Sequence, residues 1–317
     1  MIIIYTMANC WFCYKDAGSN QYHTRCCENF FGEKKMPELI LDKQLLKQLA
    51  EKTINKRIAV TGVQPKLSVT LEHINGSNQD SRLTIVGLWG DYILKPQHPG
   101  YHMMPENEDL TMHLATLFKI QVCQHTLLKA SDGSMVYLAK RLDRENGKKI
   151  HMEDFCQLSE FLTENKYKGS YEKIGKLITK YCTNKGLDLL NYFELVLFSY
   201  LTGNNDMHLK NFSVLHRGKE VLLSPAYDLL NVNLVNPADD EDLALTLNAK
   251  KKRLKLSDII AFADSLNIPE KVRQNTFVKF MSINDKVESL IDASFLDEDS
   301  KNSYKLMWHQ KQRIFDK

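Results

Sequence analysis

Apolar residues recur along this chain at two spacings, and the change from one to the other divides it. From about residue 58 the alternation has a period of two: "KLSVTLE", the polar turn "HINGSNQDS", then "RLTIVG" and "GDYILKP". That pattern predicts half-buried strands joined by turns. "QVCQHTLLKA", the turn "SDGS" and "MVYLAKRLDR" predict a second hairpin. One helix interrupts the strands. "PENEDLTMHLATLFKI" (105–120) opens on Pro105 and carries its carboxylates in the first turn, where the helix dipole favours them. A further helix is predicted over 39–54, "LILDKQLLKQLAEKTI".

After about residue 143 the spacing becomes helical. Helices are predicted over 153–164, 170–185 and 188–201. A polar loop and a small hairpin, "NFSVLHRGKEVLLS", follow. Further helices are predicted over 256–265, 269–283 and 286–293, with another near the C-terminus. The expectation is a two-lobed α+β protein in three parts: a cysteine-rich segment (1–36), a β-rich N-lobe (37–142) and a helical C-lobe (143–317).

Composition narrows the setting. The chain has 317 residues, 43% hydrophobic and 26% charged, and a formal net charge of +3. So mild a charge gives no argument for nucleic acid or an anionic membrane. No apolar run reaches the roughly 18 residues of a membrane helix, and "MIIIYTMANC" lacks the basic start of a signal peptide. The expected compartment is the cytoplasm. Four of the seven cysteines cluster near the start, and three lie scattered in apolar segments as small core residues. The odd total in a cytoplasmic chain argues against a disulfide framework.

Candidate chemistry lies first in "GNNDMHLKNF" (203–212), a crowd of polar groups placed directly after the apolar run "YFELVLFSYL". Asp206 and Asn211 stand five apart, the D-x4-N spacing of a kinase catalytic loop. There the carboxylate takes the proton of an attacking hydroxyl, and the Asn reaches a metal ion. His208 and Lys210 between them can donate to phosphate oxygens. By itself the motif also fits a polar turn whose Asn and Asp cap local backbone. The neighbours give it weight. "SPAYDLLN" places Asp228 after a short hairpin, the position of a second metal-binding Asp. "GDYILKP" ends a strand on Lys95; of the carboxylates on the next helix that suit it, Glu106 and Glu108, the latter is preferred. "AVTGVQPKLSV" forms a turn whose backbone amides and Lys66 can cradle phosphates. "VYLAKRLDR" joins the two halves where an adenine would lie. Transferring a phosphoryl group requires such a set, because developing negative charge needs cations, and carboxylates hold the metal ions.

These motifs together, with "PENEDLTMHLA" and "HMEDFCQL", resemble the HipA family of bacterial serine/threonine kinase toxins over roughly residues 58–250. The resemblance implies a two-lobed kinase-like fold related to phosphatidylinositol 3/4-kinases, ATP and Mg²⁺ as cofactors, and a protein target, an aminoacyl-tRNA synthetase. It implies Asp206 as catalytic, Asn211 and Asp228 as Mg²⁺ ligands, and Lys95 as the ATP lysine. It places Lys140, Arg141 and Leu142 at the adenine, and His208, Leu209, Lys210 and Asn211 along the nucleotide. Gly62, Val63, Gln64, Pro65, Lys66, Leu67 and Ser68 match the loop over the phosphates. The family autophosphorylates a serine just before the loop glycine, where this chain has Thr61. Long members carry roughly a hundred residues ahead of that loop, far more than a connection. This chain therefore resembles the short HipT-like branch of three-component toxin–antitoxin systems linked to persistence. The partners implied are a HipS-like small antitoxin and a DNA-binding HipB-like antitoxin.

Other readings attach to the remaining features. "CWFCYKDAGSNQYHTRCC" offers Cys10, Cys13, His23 and Cys26 as four ligands of a structural Zn²⁺. The alternative is a clip of reduced cysteines. Such a site is expected to be independent of the kinase chemistry. "KKKRLK" (250–255) suits an acidic partner or tRNA, but reads more simply as a solvated helix approach. His113 and His125 sit among apolar residues and suit packing. Glu153 and Asp154 suit a helix cap, and Tyr192, Phe193 and Phe198 suit helix core. Two rival functions share the D-x4-N loop or its fold: a small-molecule phosphotransferase of the aminoglycoside or choline type, and a catalytically silent binding module.

Overall fold

The structure is a computed structural model, which describes residues 8–40, 65–74, 80–86, 89–145 and 147–316. The helix expected over 39–54 and the loop residues Thr61, Gly62, Val63 and Gln64 lie outside the described residues. The chain forms two compact units. One comprises Met1–Leu110, Gln124–Arg141 and Ala293–Phe295; the other comprises Thr111–Cys123, Leu142–Asp292 and Leu296–Lys317. The cysteine-rich segment lies in the same unit as the sheet.

The first unit is built on a five-stranded antiparallel sheet. Its strands are β1 (Leu67–His73), β2 (Ser81–Val86), β3 (Tyr92–Pro96), β4 (His125–Lys129) and β5 (Met135–Lys140), in the order β2-β1-β3-β5-β4. Alternation along these strands decides what each face carries. Leu67, Val69, Leu83, Tyr92, Leu94, Leu128, Val136 and Leu138 form one apolar core with Cys27, Phe30 and Phe31 of the helix Thr24–Phe31. The cysteine-rich segment thus covers this face with aromatic side chains. The sequence shows few aliphatics there, but Phe12, Phe30 and Phe31 pack ring to ring, and Phe30 and Phe31 each lie 5.8 Å from Tyr92. Lys95, one residue beyond Leu94, projects from the other face.

In the second unit β8 (Met152–Asp154) joins β9 (Ser213–Arg217) and β10 (Glu220–Leu223) in the order β10-β9-β8. A two-stranded ribbon pairs β6 (Arg144–Glu145) with β7 (Lys148–Lys149). The hairpin was legible and its third strand was not. The helix expected over 153–164 is instead that strand followed by one turn, Phe155–Leu158. Asp154 starts the turn through a reciprocal capping box with Gln157. Longer helices follow at Tyr171–Tyr181, Lys185–Leu201, Leu256–Ser265, Glu270–Met281, Asn284–Asp292 and Glu298–Gln312. As expected, Tyr192, Phe193 and Phe198 are fully buried. Tyr192 meets Phe212 and Phe262 edge-on, which seats Lys185–Leu201 beneath the polar loop. Three residues of the basic run pair within the chain, Lys250 with Asp258, Lys251 with Glu241 and Lys252 with Asp240. Among the described residues, no helix is long and apolar enough to cross a membrane.

Gly203 ends Lys185–Leu201 in the left-handed region, at φ +64°. A Cβ there would stand 2.6 Å from Asn233 Oδ1 and 3.0 Å from Asn231 Oδ1. The Gly203 carbonyl accepts the amides of Val232 and Asn233. One residue therefore ties the start of the polar loop to the segment that follows Asp228. Gly203→Ala adds left-handed strain and a clash, and should cost about 2–3 kcal/mol. Urea unfolding would show this as a lower midpoint.

Candidate active site

In the first unit, β3 and the helix Met104–Leu117 bring Lys95 and Glu108 together. Nζ lies 2.5 Å from Oε1, with both residues buried. Glu108 is thus one of the two expected partners, and Glu106, two residues earlier on the same helix, is also buried. The helix is well anchored at this point. Gln97 Oε1 accepts the Met104 amide, and Asp109, beside Glu108, holds His125 Nδ1 at 2.6 Å and the Tyr14 hydroxyl at 2.8 Å. His125 is thus a polar partner of Asp109 as well as a packed residue. Lys95 also lies 5.4 Å from the ring centre of Tyr137, its cross-strand neighbour.

Of the expected phosphate loop, Pro65, Lys66, Leu67 and Ser68 are described. Lys66 is exposed and Leu67 is buried in the sheet. Ser68 Oγ accepts the Gly90 amide at 3.0 Å, and only a glycine fits there, since a Cβ would lie 2.4 Å from the Val69 carbonyl. At the expected adenine position, the Lys140 amide donates to Gln124 and the Arg141 amide to Asp91. The Lys140 ammonium lies over the Phe30 ring at 5.0 Å, and burial lowers its pKa. Its side chain therefore serves the apolar face of the sheet. Leu142 belongs to the second unit.

That second unit collects the polar loop. Asn211 Nδ2 donates to the Asp206 carbonyl at 3.0 Å, and the His208 amide donates to the same oxygen at 2.8 Å. His208 caps the single turn Leu209–Asn211 through its ring, which accepts the Lys210 amide. With its amide nitrogen spent on backbone, Asn211 presents Oδ1 as the atom for a cation. Lys210 Nζ lies 2.6 Å from Asp154 Oδ2, so the residue that caps the Phe155–Leu158 turn also steadies a cation of the loop. The Lys210 carbonyl accepts the Tyr227 hydroxyl, which also meets Ser213 Oγ. The next residue, Asp228, is half-buried at φ +61°, a left-handed backbone that costs about 1–3 kcal/mol. Strain of this kind persists where surrounding bonds fix the chain, and here they fix it at a carboxylate.

Sequence reasoning missed Tyr167. Its hydroxyl donates to Asp206 Oδ1 at 2.6 Å and its ring meets His208 edge-on. No spacing rule connects residues 39 apart, and Tyr167 lies in the connection between the helices expected over 153–164 and 170–185. Its contacts make it a positioning residue for Asp206. On the kinase expectation from sequence, Tyr167→Phe should lower turnover about 3–10-fold, the worth of one hydrogen bond, with KM for ATP unchanged. Steady-state ADP release measures both.

Two further groups have defined places. Cys10, Cys13, His23 and Cys26 lie together, their ligand atoms all within 4.8 Å of one another. Burial, and then the neighbouring thiols Cys10 and Cys13, push the Cys26 thiol up to about 12. Glu153 pairs with His151 at 3.0 Å and His216 at 3.4 Å on adjacent strands.

A buried lysine–glutamate pair on a five-stranded sheet, and an Asp-x4-Asn loop ahead of a hairpin and a second Asp, define an α+β protein with a kinase-like fold. The model of the HipA-like C-terminal domain matches residues 58–287, and the chain belongs to that family. The serine/threonine-protein kinase toxin HipA of Shewanella oneidensis is 25% identical over 239 residues, covering 68% of this chain and 53% of that protein. A Haemophilus influenzae protein with the provisional name of kinase is 25% identical over 272 residues, covering 76% of this chain and 77% of its own length. Among solved structures, the Shewanella oneidensis HipA, HipB and operator DNA complex matches with a TM-score of 0.69 at 24% identity, covering 86% of this chain and 70% of that one. The Helicobacter pylori proinflammatory kinase CtkA matches with a TM-score of 0.50 at 14% identity, covering 78% of this chain and 92% of that one.

Proposed function

We propose that this chain is a Mg²⁺-ATP-dependent serine/threonine protein kinase and the toxin of a toxin–antitoxin system. The observation that carries the reading is the loop from Asp206 to Asn211. Its backbone is cinched by Asn211, its cation is steadied by Asp154, and it lies in the same unit as the strained Asp228. Asp206 accepts the proton of the acceptor hydroxyl, and Tyr167 sets the direction of its carboxylate. Asn211 Oδ1 and Asp228 would hold Mg²⁺, which supplies charge neutralisation on the transferred phosphoryl when bound. Lys95, held by Glu108, pairs with the α- and β-phosphates. His208 and Lys210 donate to phosphate oxygens, and Lys66 with the neighbouring loop amides covers them.

The finer reading follows the family. The substrate is a protein serine or threonine, with an aminoacyl-tRNA synthetase as the target to try first, and Thr61 receives phosphate in cis. A phosphate there adds about −1.5 to −2 charges beside the nucleotide phosphates and switches the enzyme off. A DNA-binding HipB-like protein and a HipS-like protein are the proposed partners, as for the HipT-like branch. The match to HipA solved together with HipB supports looking for the first of them.

The test is incubation of the purified chain with γ-labelled ATP, with and without Mg²⁺. The expected result is Mg²⁺-dependent label on the protein, mapped to Thr61, with growth arrest on expression in a bacterial host. Nucleotide binding with neither ADP release nor label would leave a silent module. Label on a free aminoglycoside or choline, with none on protein, would favour a small-molecule phosphotransferase.

A further inference from the structure

We propose that Cys10, Cys13, His23 and Cys26 hold one zinc ion, and that this clip positions the helix carrying Glu108 through Tyr14 and Asp109. The second half rests on the kinase reading; the first does not.

Two of the ligand–ligand distances are those of a tetrahedral site, and the rest are within 4.8 Å. Cys13 Sγ lies 3.5 Å from His23 Nδ1, and Cys26 Sγ lies 3.7 Å from the same nitrogen. Zinc bonds of about 2.3 Å to sulfur and about 2.0–2.1 Å to nitrogen give tetrahedral S···N edges of about 3.5 Å. The histidine is turned for ligation. Its Nε2 lies 2.9 Å from the Asp16 carbonyl, which can only accept, so Nε2 carries the hydrogen and Nδ1 offers its lone pair to the thiols. Backbone fixes the rest. The amides of Cys13 and Tyr14 both donate to the Cys10 carbonyl, and the Cys26 amide donates to the His23 carbonyl. The fourth clustered cysteine, Cys27, is fully buried in the sheet core, which leaves Cys26 as the ligand of that pair. Four protein ligands leave no open position, so the ion is structural.

The residue after Cys13 links this clip to the lysine–glutamate pair. Tyr14 has φ +58°, an uncommon backbone for a bulky side chain, imposed where the Cys10–Cys13 turn closes. That turn sends its ring against Phe295 and its hydroxyl to Asp109 Oδ2 at 2.8 Å. Asp109 is fully buried and adjoins Glu108 on the helix Met104–Leu117. Without the ion the turn is free to relax its strained residue, and Asp109 loses a donor inside the core. The proposed link therefore runs from Cys13 through Tyr14 and Asp109 to the helix of Glu108, in place of the independence expected from sequence.

Elemental analysis of the full chain, purified without a metal-affinity tag, should find about one zinc per chain. Cobalt(II) added to the chelator-treated protein should give the intense visible bands of a tetrahedral thiolate site, and Cys10→Ser/Cys13→Ser should lose both signals. A metal-free protein that gives no such bands overturns the site while leaving the kinase reading intact. Tyr14→Phe should keep its zinc and its kcat but raise KM for ATP about 3–10-fold, the worth of one hydrogen bond. A zinc-loaded Tyr14→Phe protein with the wild-type KM overturns the positioning role. Wild-type protein that holds zinc but binds no ATP overturns the kinase reading and leaves the zinc site standing.

Discussion

Asp206→Asn should lower phosphoryl transfer by about 10²–10⁴-fold, the range a general base contributes, and leave the unfolding temperature nearly unchanged. The substitution preserves shape. The Asp206 backbone carbonyl still accepts from Asn211 and His208, so the loop stays cinched. The Tyr167 hydroxyl still meets a side-chain oxygen, now a neutral one. What disappears is the negative charge that receives the acceptor's proton. The loss should therefore appear in kcat with KM for ATP within a fewfold of wild type, since the phosphate-facing cations are untouched. ADP release under saturating ATP gives the first number and a thermal melt the second. Expression of the variant should no longer arrest growth. Full turnover in Asp206→Asn at matched purity would move the catalytic base elsewhere and remove the central assignment of the kinase reading.

How much of this was readable beforehand depends on whether spacing or topology places a residue. Asp206 and Asn211 share one loop, so their relation is fixed by five positions in sequence and was legible. The strands β1 to β5 were legible because alternation of apolar residues survives in them, and Lys95 could be placed on the face opposite Leu94 by parity alone. The pairing with Glu108 needed only a strand followed by a helix. Tyr167, Asp154 and Tyr227 were illegible as site residues, because each reaches the loop across a fold that sequence does not order. The segment 153–164 misled for a physical reason. Its apolar residues fit a helical spacing, yet Met152–Asp154 is claimed as a strand by β9, and tertiary pairing outweighs local propensity over so short a run. The packing of the cysteine-rich segment was not legible either, because its phenylalanines and Cys27 meet the sheet core across the fold.

Lys95→Met should be the most destabilising single change at the site, and it should abolish ATP binding as well. The lysine and Glu108 are both buried, and each is the other's counter-charge at 2.5 Å. Removing the cation leaves a carboxylate in a low-dielectric interior, which costs about 3–5 kcal/mol. The same argument applies to Glu108→Leu, which removes a carboxylate partner of the buried ammonium. The double variant Lys95→Met/Glu108→Leu separates the two roles of the pair. With both charges gone and volume roughly kept, desolvation is no longer owed, so stability should return to within about 1–2 kcal/mol of wild type. ATP affinity should not return, because the cation assigned to the α- and β-phosphates is then gone. Urea unfolding of the four proteins gives the coupling free energy, and titration with ATP gives affinity independently of turnover. A double variant that is stable yet binds ATP as wild type does would show the pair to be structural only. A double variant no more stable than either single one would show that Glu108 and Lys95 each hold other parts of the core.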